Sequence, residues 1–250
     1  MKSLKAIVAT VVLFIAVAVQ AQTASTKPLP QRADVAAPKM NSTTQPNPRF
    51  MTMHEKFVEQ AKAGNIDLLF LGDSITEGWM GRGKDVWQKS YGDKHAANFG
   101  ISGDKTQHVL WRIENGELEN IHPKVCVLMI GTNNVGSNPP EQIAAGVENI
   151  VKSVRDKTGA KVLLLAVFPR GKNPQDPKVV TARAVLDKVN AQIAKMDDGS
   201  NIRYLDIGEK FLEPDKSISP EIMPDALHPN AKGYEIWAEA MNPLLTEMLK

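Results

Sequence analysis

The 250-residue chain has a single cysteine, Cys126, so no intramolecular disulfide can form within it, and no cysteine stands at its N-terminal processing site to carry a lipid. It also lacks an excess of one charge sign, with 30 Lys and Arg against 28 Asp and Glu. Six of the basic residues (Lys2, Lys5, Lys27, Arg32, Lys39 and Arg49) precede Phe50 beside a single acid, Asp34, which leaves the remainder at net −3. A surface of that charge offers no basic stripe for a phosphate backbone, so nucleic-acid binding is not expected. No uncharged apolar run reaches the ~20 residues that a membrane-spanning helix needs. Internal repeats are absent, and with 42% hydrophobic, 23% charged and 6% aromatic residues the composition fits one large globular domain or at most two small ones.

What is present begins with a secretory signal pattern over residues 1–21. Lys2 and Lys5 precede the uncharged run Ala6 to Val19, and Val19, Gln20 and Ala21 supply a small-residue cleavage site. The sequence therefore predicts a secreted or periplasmic protein with no stable membrane insertion after signal removal. Residues 22–50 follow, with five prolines, many Ser, Thr and Gln and almost no aromatic side chain; this composition predicts a flexible tether. The globular domain is expected over residues 51–250.

Within that domain, short apolar runs alternate with amphipathic stretches. Strands are predicted at Ile66 to Leu71, Ala96 to Phe99, Val125 to Ile130, Val162 to Val167 and Ile202 to Ile207, apolar on both faces as buried parallel strands are. Ile143, Val147, Ile150, Val151 and Val154 share one helix face, as do Val185, Leu186, Val189 and Ile193. A last helix is expected to open after His228 with Pro229 in its first turn. Five alternations of strand and helix imply an α/β protein, a parallel sheet covered by helices on both faces. Ligands of such sheets bind beyond the carboxyl ends of the strands, so the loops there are the places to search.

The loop after the first strand, FLGDSITEG, carries Ser74 on a strand-to-helix turn, but lacks the GxSxG pattern of a nucleophile elbow. After the second strand, NFGISGDKT has the wrong glycine spacing for a phosphate loop, while Gly103 allows close backbone approach to an oxyanion. After the third, IGTNNVG offers the Asn133 amide as a donor. The fourth leads into FPRGKNPQDP, expected to form a wall of the pocket. Beyond the fifth, PDALHPN sets Asp225 three residues before His228, close enough to hold the imidazole Nδ1–H and leave Nε2 as a base. One His and one Asp fall short of a catalytic zinc site, and His54, His95, His108 and His122 show no metal-ligand spacing. His108 and His122 are expected at a helix surface or turn, Cys126 inside a strand, and Trp111 in the core, with Trp79 and Trp87 as candidates for a sugar platform. Each motif alone is an ordinary turn; together they are the components of acyl transfer.

In order and content, GDSIT (72–76), the Gly103 segment, GTNN (131–134) and DALHP (225–229) resemble the four blocks of the SGNH, or GDSL-like, hydrolase superfamily. The stretch NFGISGDKTQHVLWRIENGELENIHPK is most similar to the catalytic subunits of platelet-activating-factor acetylhydrolase, a subfamily with many exported bacterial esterases. The resemblance implies a three-layer α/β/α sandwich around a five-stranded parallel sheet, flavodoxin-like in order. It also implies Ser74 as nucleophile, His228 as base, Asp225 as its orienter, and an oxyanion hole of the Ser74 and Gly103 N–H groups with the Asn133 side chain. Neither a metal nor an organic cofactor is expected. The expected partner is a small-molecule or carbohydrate ester substrate; the related subunits pair as dimers, which leaves a homodimer open, and no interface patch is evident in the sequence. The predicted activity is an exported esterase for short acyl groups, O-acetyl above all. The alternatives are a phospholipid or lysophospholipid acylhydrolase and a catalytically silent glycan-binding module.

Overall fold

The computed structural model describes residues 31–42 and 44–250; the predicted signal and residues 22–30 of the predicted tether lie outside them. Among the described residues no helix is long and apolar enough to cross a membrane. Five parallel strands, β1 (Leu68–Gly72), β2 (Ala96–Gly100), β3 (Val125–Met129), β4 (Lys161–Leu165) and β5 (Ile202–Leu205), form one sheet in the order β2-β1-β3-β4-β5. The alternation of side chains along a strand divides the core in two. Leu69, Leu71, Cys126 and Leu128 face one layer, and Leu68, Phe70, Val125, Val127 and Met129 face the other. The first layer is covered by α1 (Pro48–Ala63), α4 (Thr106–Arg112), α5 (Pro140–Thr158) and α6 (Pro177–Ile193), and the second by α3 (Lys84–Tyr91) and α7 (Ala231–Met248). All five expected strands are present to within a few residues, and the sandwich is the expected one. β5 is only half-buried because it closes the sheet edge, which explains the polar Arg203 within it.

Two details depart from expectation. Asn230, not the residue before Pro229, caps α7, its side chain accepting the Gly233 N–H at 3.1 Å. Trp79 and Trp87 are buried in the α7-side core, with Trp79 in edge or tilted contact with Tyr234 and Trp237, so neither forms a sugar platform. Trp111 is partly buried and packs against the opposite core, as expected.

The largest correction concerns the predicted tether. From residue 31 onward, residue 43 aside, it lies against the domain as a strap, held mainly through its backbone, which composition does not report. The Ala33 carbonyl accepts from Thr106 Oγ1 at 2.6 Å, the Asp34 carbonyl from Asn149 at 3.0 Å, and the Ala37 N–H donates to the Gln107 carbonyl at 3.1 Å. Its last residues, 48–50, are already the first turn of α1, whose cap Asn47 accepts the Phe50 N–H at 3.0 Å and whose first residue is Pro48. Ala33 is fully buried because α5 carries Gly146 opposite it. A Cβ at that position would stand 2.4 Å from the Ala33 carbonyl oxygen and 2.8 Å from the Thr106 side chain.

Glycine inside a helix ordinarily costs about 1 kcal/mol relative to alanine, so alanine at such a site normally stabilises. Here Gly146→Ala is expected to destabilise by roughly 1–3 kcal/mol, because the added methyl must push the strap off the helix. Equilibrium denaturant unfolding of the two proteins measures it; a more stable variant would show that the strap does not seat on α5.

Candidate active site

β1 has β2 on one side and β3 on the other, so the chain's crossovers leave in opposite directions on either side of it and open a crevice at their carboxyl ends. The turn after β1 is tight. Asp73 caps the short helix α2 (Ser74–Glu77), its Oδ1 accepting the Ile75 N–H at 3.0 Å. Gly72 and Gly100 end their strands where a Cβ would meet Thr76 Oγ1 at 2.2 Å and the Glu77 nitrogen at 2.3 Å, so α2 can settle directly on the strand ends. Ser74, the first residue of α2, is thereby left half-buried at the crevice floor.

Its partner arrives from 154 residues away. Ser74 Oγ lies 2.9 Å from His228 Nε2, and His228 Nδ1 lies 2.7 Å from Asp225 Oδ2. The other carboxylate oxygen, Oδ1, accepts the backbone N–H of His228 at 2.7 Å and of Leu227 at 3.2 Å, so the turn is wound around the Asp225 side chain. The winding forces Ala226 to φ +53°, a left-handed conformation that costs an alanine energy, and the Gly171 N–H fastens its carbonyl at 2.9 Å. Burial acts to raise the Asp225 carboxyl, but the donors from His228 outweigh it and hold the group below the usual carboxylate range. An ionised Asp225 on Nδ1 leaves Nε2 unprotonated toward the serine.

The loops after β2 and β3 carry the other two expected donors, Gly103 and Asn133, neither of which lines the cleft that holds Ser74 and His228. Gly103 has φ +75°. Among the described residues neither the Ser74 nor the Gly103 backbone N–H has a backbone acceptor, so both remain available to an oxyanion. Of the two asparagines in GTNN, the structure sends Asn134 inward, where its Oδ1 accepts the Thr106 N–H at 3.0 Å and its Nδ2 donates to Gln107. Asn133 remains at the crevice: its Nδ2 donates to the Asp104 carbonyl at 2.9 Å and makes a long 3.4 Å contact to Asp73 Oδ2. One strong bond thus orients the amide, and its second hydrogen is only weakly engaged.

Beneath this floor lies a cluster of buried charge absent from the sequence reading. Arg112, fully buried, donates to Asp104 Oδ2 at 3.0 Å, to Glu117, and to the carbonyls of Phe99 at 3.1 Å and Gly72 at 3.4 Å. His108, expected at the surface, is buried beside it, and burial next to Lys39, Lys105 and Arg112 pushes its imidazole down to about 3. A neutral His108 accepts the Lys105 N–H at 3.1 Å and so closes the first turn of α4. Cys126 is an enclosed strand thiol raised by burial, as expected.

A cleft of about 690 Å³ opens from Ser74 and His228, and residues unmarked by the sequence motifs line much of it: Lys39, Asn47, Arg49 and Phe50 from the strap and α1. FPRGKNPQDP, expected as a wall, does not line it and instead braces the site, with Arg170 donating to the Thr132 carbonyl at 2.8 Å and Gly171 holding Ala226. Among the described residues no three His, Cys, Asp or Glu side chains gather as a metal-holding set.

Two carboxyls under the floor titrate unusually. Burial pushes Asp73 up to about 7 against the Ile75 N–H, and pushes Asp104 up to about 6 against Arg112 and Lys39. The folded protein then keeps protons that the unfolded chain gives up near pH 4. The stability these groups contribute is complete below about pH 4 and is lost as pH rises to about 7. Asp73→Asn is expected to flatten the fall in unfolding free energy between pH 4 and 7, measured by urea denaturation across that range; an unchanged slope would refute the assignment.

Comparison with known proteins agrees with this geometry. Residues 70–236 match the GDSL-like lipase/acylhydrolase family. The chain is 36% identical over 216 residues to platelet-activating factor acetylhydrolase IB subunit alpha2 of Rattus norvegicus, covering 86% of this chain and 91% of that one. It is 38% identical over 202 residues to subunit alpha1 of Homo sapiens, covering 80% and 84%. Among solved structures, a GDSL-like lipase from Bacteroides thetaiotaomicron superimposes with TM-score 0.64 at 21% identity, over 78% of this chain and 97% of that one. The acetylxylan esterase Axe2 of Geobacillus stearothermophilus does so with TM-score 0.53 at 24% identity, over 72% and 93%. With the family match spanning most of the domain and the two platelet-activating factor acetylhydrolase subunits covering 86% and 80% of the chain, the protein belongs to the GDSL-like lipase/acylhydrolase family and is a hydrolase acting on esters.

Proposed function

We propose that the protein is an exported serine esterase that removes short acyl groups, O-acetyl in particular, through an acyl-enzyme. The observation that carries this reading is the continuous line from Asp225 through His228 to Ser74, at 2.7 and 2.9 Å, ending beside two unengaged backbone donors. Ser74 Oγ attacks the ester carbonyl carbon as His228 Nε2 takes its proton, and the carbonyl oxygen becomes an oxyanion held by the Ser74 and Gly103 N–H groups and Asn133 Nδ2. Collapse breaks the bond to the alcohol oxygen, to which His228 returns the proton. Water, deprotonated by the same imidazole, then attacks the acyl-serine and releases the acid.

An acetyl group is supported by the names of the relatives, which specify acetyl both for the platelet-activating factor enzymes and for the xylan esterases, although the remainder of the substrate differs. Export is supported by the charged, apolar and small-residue order of residues 1–21.

Initial rates of the full-length chain on 4-nitrophenyl acetate, butyrate and octanoate, with acetate release from acetylated xylan, test the proposal. Rates are expected to fall with chain length. Ser74→Ala is expected to lose at least about 10⁴-fold in kcat, and Asn133→Ala about 10²–10³-fold with little change in KM. Turnover retained by Ser74→Ala would overturn the mechanism, and a folded wild type inactive on every ester would favour a binding module.

A further inference from the structure

Residues 51–250 carry a net charge of −3, yet the cleft beside Ser74 is walled by three cations, Lys39, Arg49 and Arg82, against one carboxylate, Glu77. Two of the three come from residues before Phe50, so the seated strap and the start of α1 supply the positive excess of the cleft. The cations are not equivalent. Arg49 pairs with Glu77, whose other oxygen accepts the Ser102 N–H at 2.6 Å, so these two side chains largely neutralise each other. Lys39 spends one of its three donors on the Ser102 carbonyl at 2.5 Å and lies 3.8 Å from Asp104 Oδ1, a buried oxygen that receives no hydrogen bond. Arg82 is exposed at the mouth and, among the described residues, makes no ion pair or side-chain hydrogen bond. Its planar fork of donors is thus free for an anionic oxygen group entering the cleft.

We propose, building on the esterase reading above, that the cleft selects esters whose alcohol portion carries an anionic oxygen group, with Arg82 and the remaining donors of Lys39 binding that group. The charge belongs to the alcohol portion because a short acyl group, seated on the oxyanion donors at Ser74, leaves no atoms to carry one toward the mouth. Carboxylate and phosphate share the chemistry that a guanidinium and an ammonium recognise.

The test compares kcat/KM of the full-length chain, at pH 8 and low ionic strength, on 3-carboxyphenyl acetate, 3-acetoxyphenyl phosphate and the neutral 3-carbamoylphenyl acetate, each divided by its spontaneous hydrolysis rate. An advantage of about tenfold or more for one or both anionic esters is expected, and which of them carries it separates carboxylate from phosphate. That advantage should shrink in 0.5 M salt, fall toward unity in Arg82→Gln, reverse in Arg82→Glu and persist in Arg82→Lys, which keeps the charge at an exposed position. A corrected ratio of one or less in wild type, or one unaltered in Arg82→Gln and Arg82→Glu, overturns the inference while the esterase reading stands. Absence of turnover on all three esters overturns both.

Discussion

A guanidinium sealed from water must find its counter-charges and acceptors inside the protein, and the placement of Arg112 follows from that requirement. Its partners are the carboxylates of Asp104 and Glu117 and the terminal carbonyls of β1 and β2. Each contact fixes a different part of the crevice. The carbonyls set the strand ends beside which Ser74 and Gly103 emerge, and Asp104 anchors the loop that contains Gly103. Glu117 ties in the irregular turn after α4, where Gly116 takes φ +101°, and it also contacts His54 of α1 at 3.4 Å. Loss of any one partner would leave a buried donor of Arg112 without its acceptor, so the cluster holds these segments as a unit.

The proposed oxyanion donors depend on that unit. Asp104 acts twice: its carboxylate is held by Arg112, and its carbonyl orients the Asn133 amide. The loop after β2 is thus tied to the loop after β3 through one residue, and through Arg112 to the end of β1. The histidine turn is supported separately, wound on Asp225 and fastened by Gly171. The serine turn and the histidine turn meet across the 2.9 Å contact between Ser74 and His228, and the loop after β4 bridges the histidine turn to the loop after β3 through Gly171 and Arg170.

Much of this was legible in the chain because the relevant signals are local. Strand runs, helix faces and the turn chemistry of GDSIT and DALHP depend on neighbours within a few residues. The first helix was equally readable, since Asn47 followed by Pro48 marks a start and Phe50, His54, Phe57 and Ala61 fall on one face. It was obscured by the proline-rich composition around it. Asn133 and Asn134 are adjacent and chemically identical, and the bonds of Asn134 to Thr106, Gln107 and Asn138 hold it inward and leave Asn133 the more exposed. His108 read as a surface residue because nothing in its own helix reveals the strap that lies over it.

The sequence by itself determined the alternating α/β order, the parallel sheet and the serine, asparagine and aspartate–histidine motifs, since periodicity and turn chemistry act over short distances. Only the tertiary structure decided that residues 31–42 and 44–50 pack with the domain, that Arg112 is buried beneath the crevice, and that the cleft is cationic although residues 51–250 carry a net charge of −3. Those outcomes rest on contacts between residues tens of positions apart, such as Ala33 against Gly146 and Lys39 against Ser102. A carbonyl seated on a glycine or an ammonium on a loop carbonyl leaves no periodic trace in either segment.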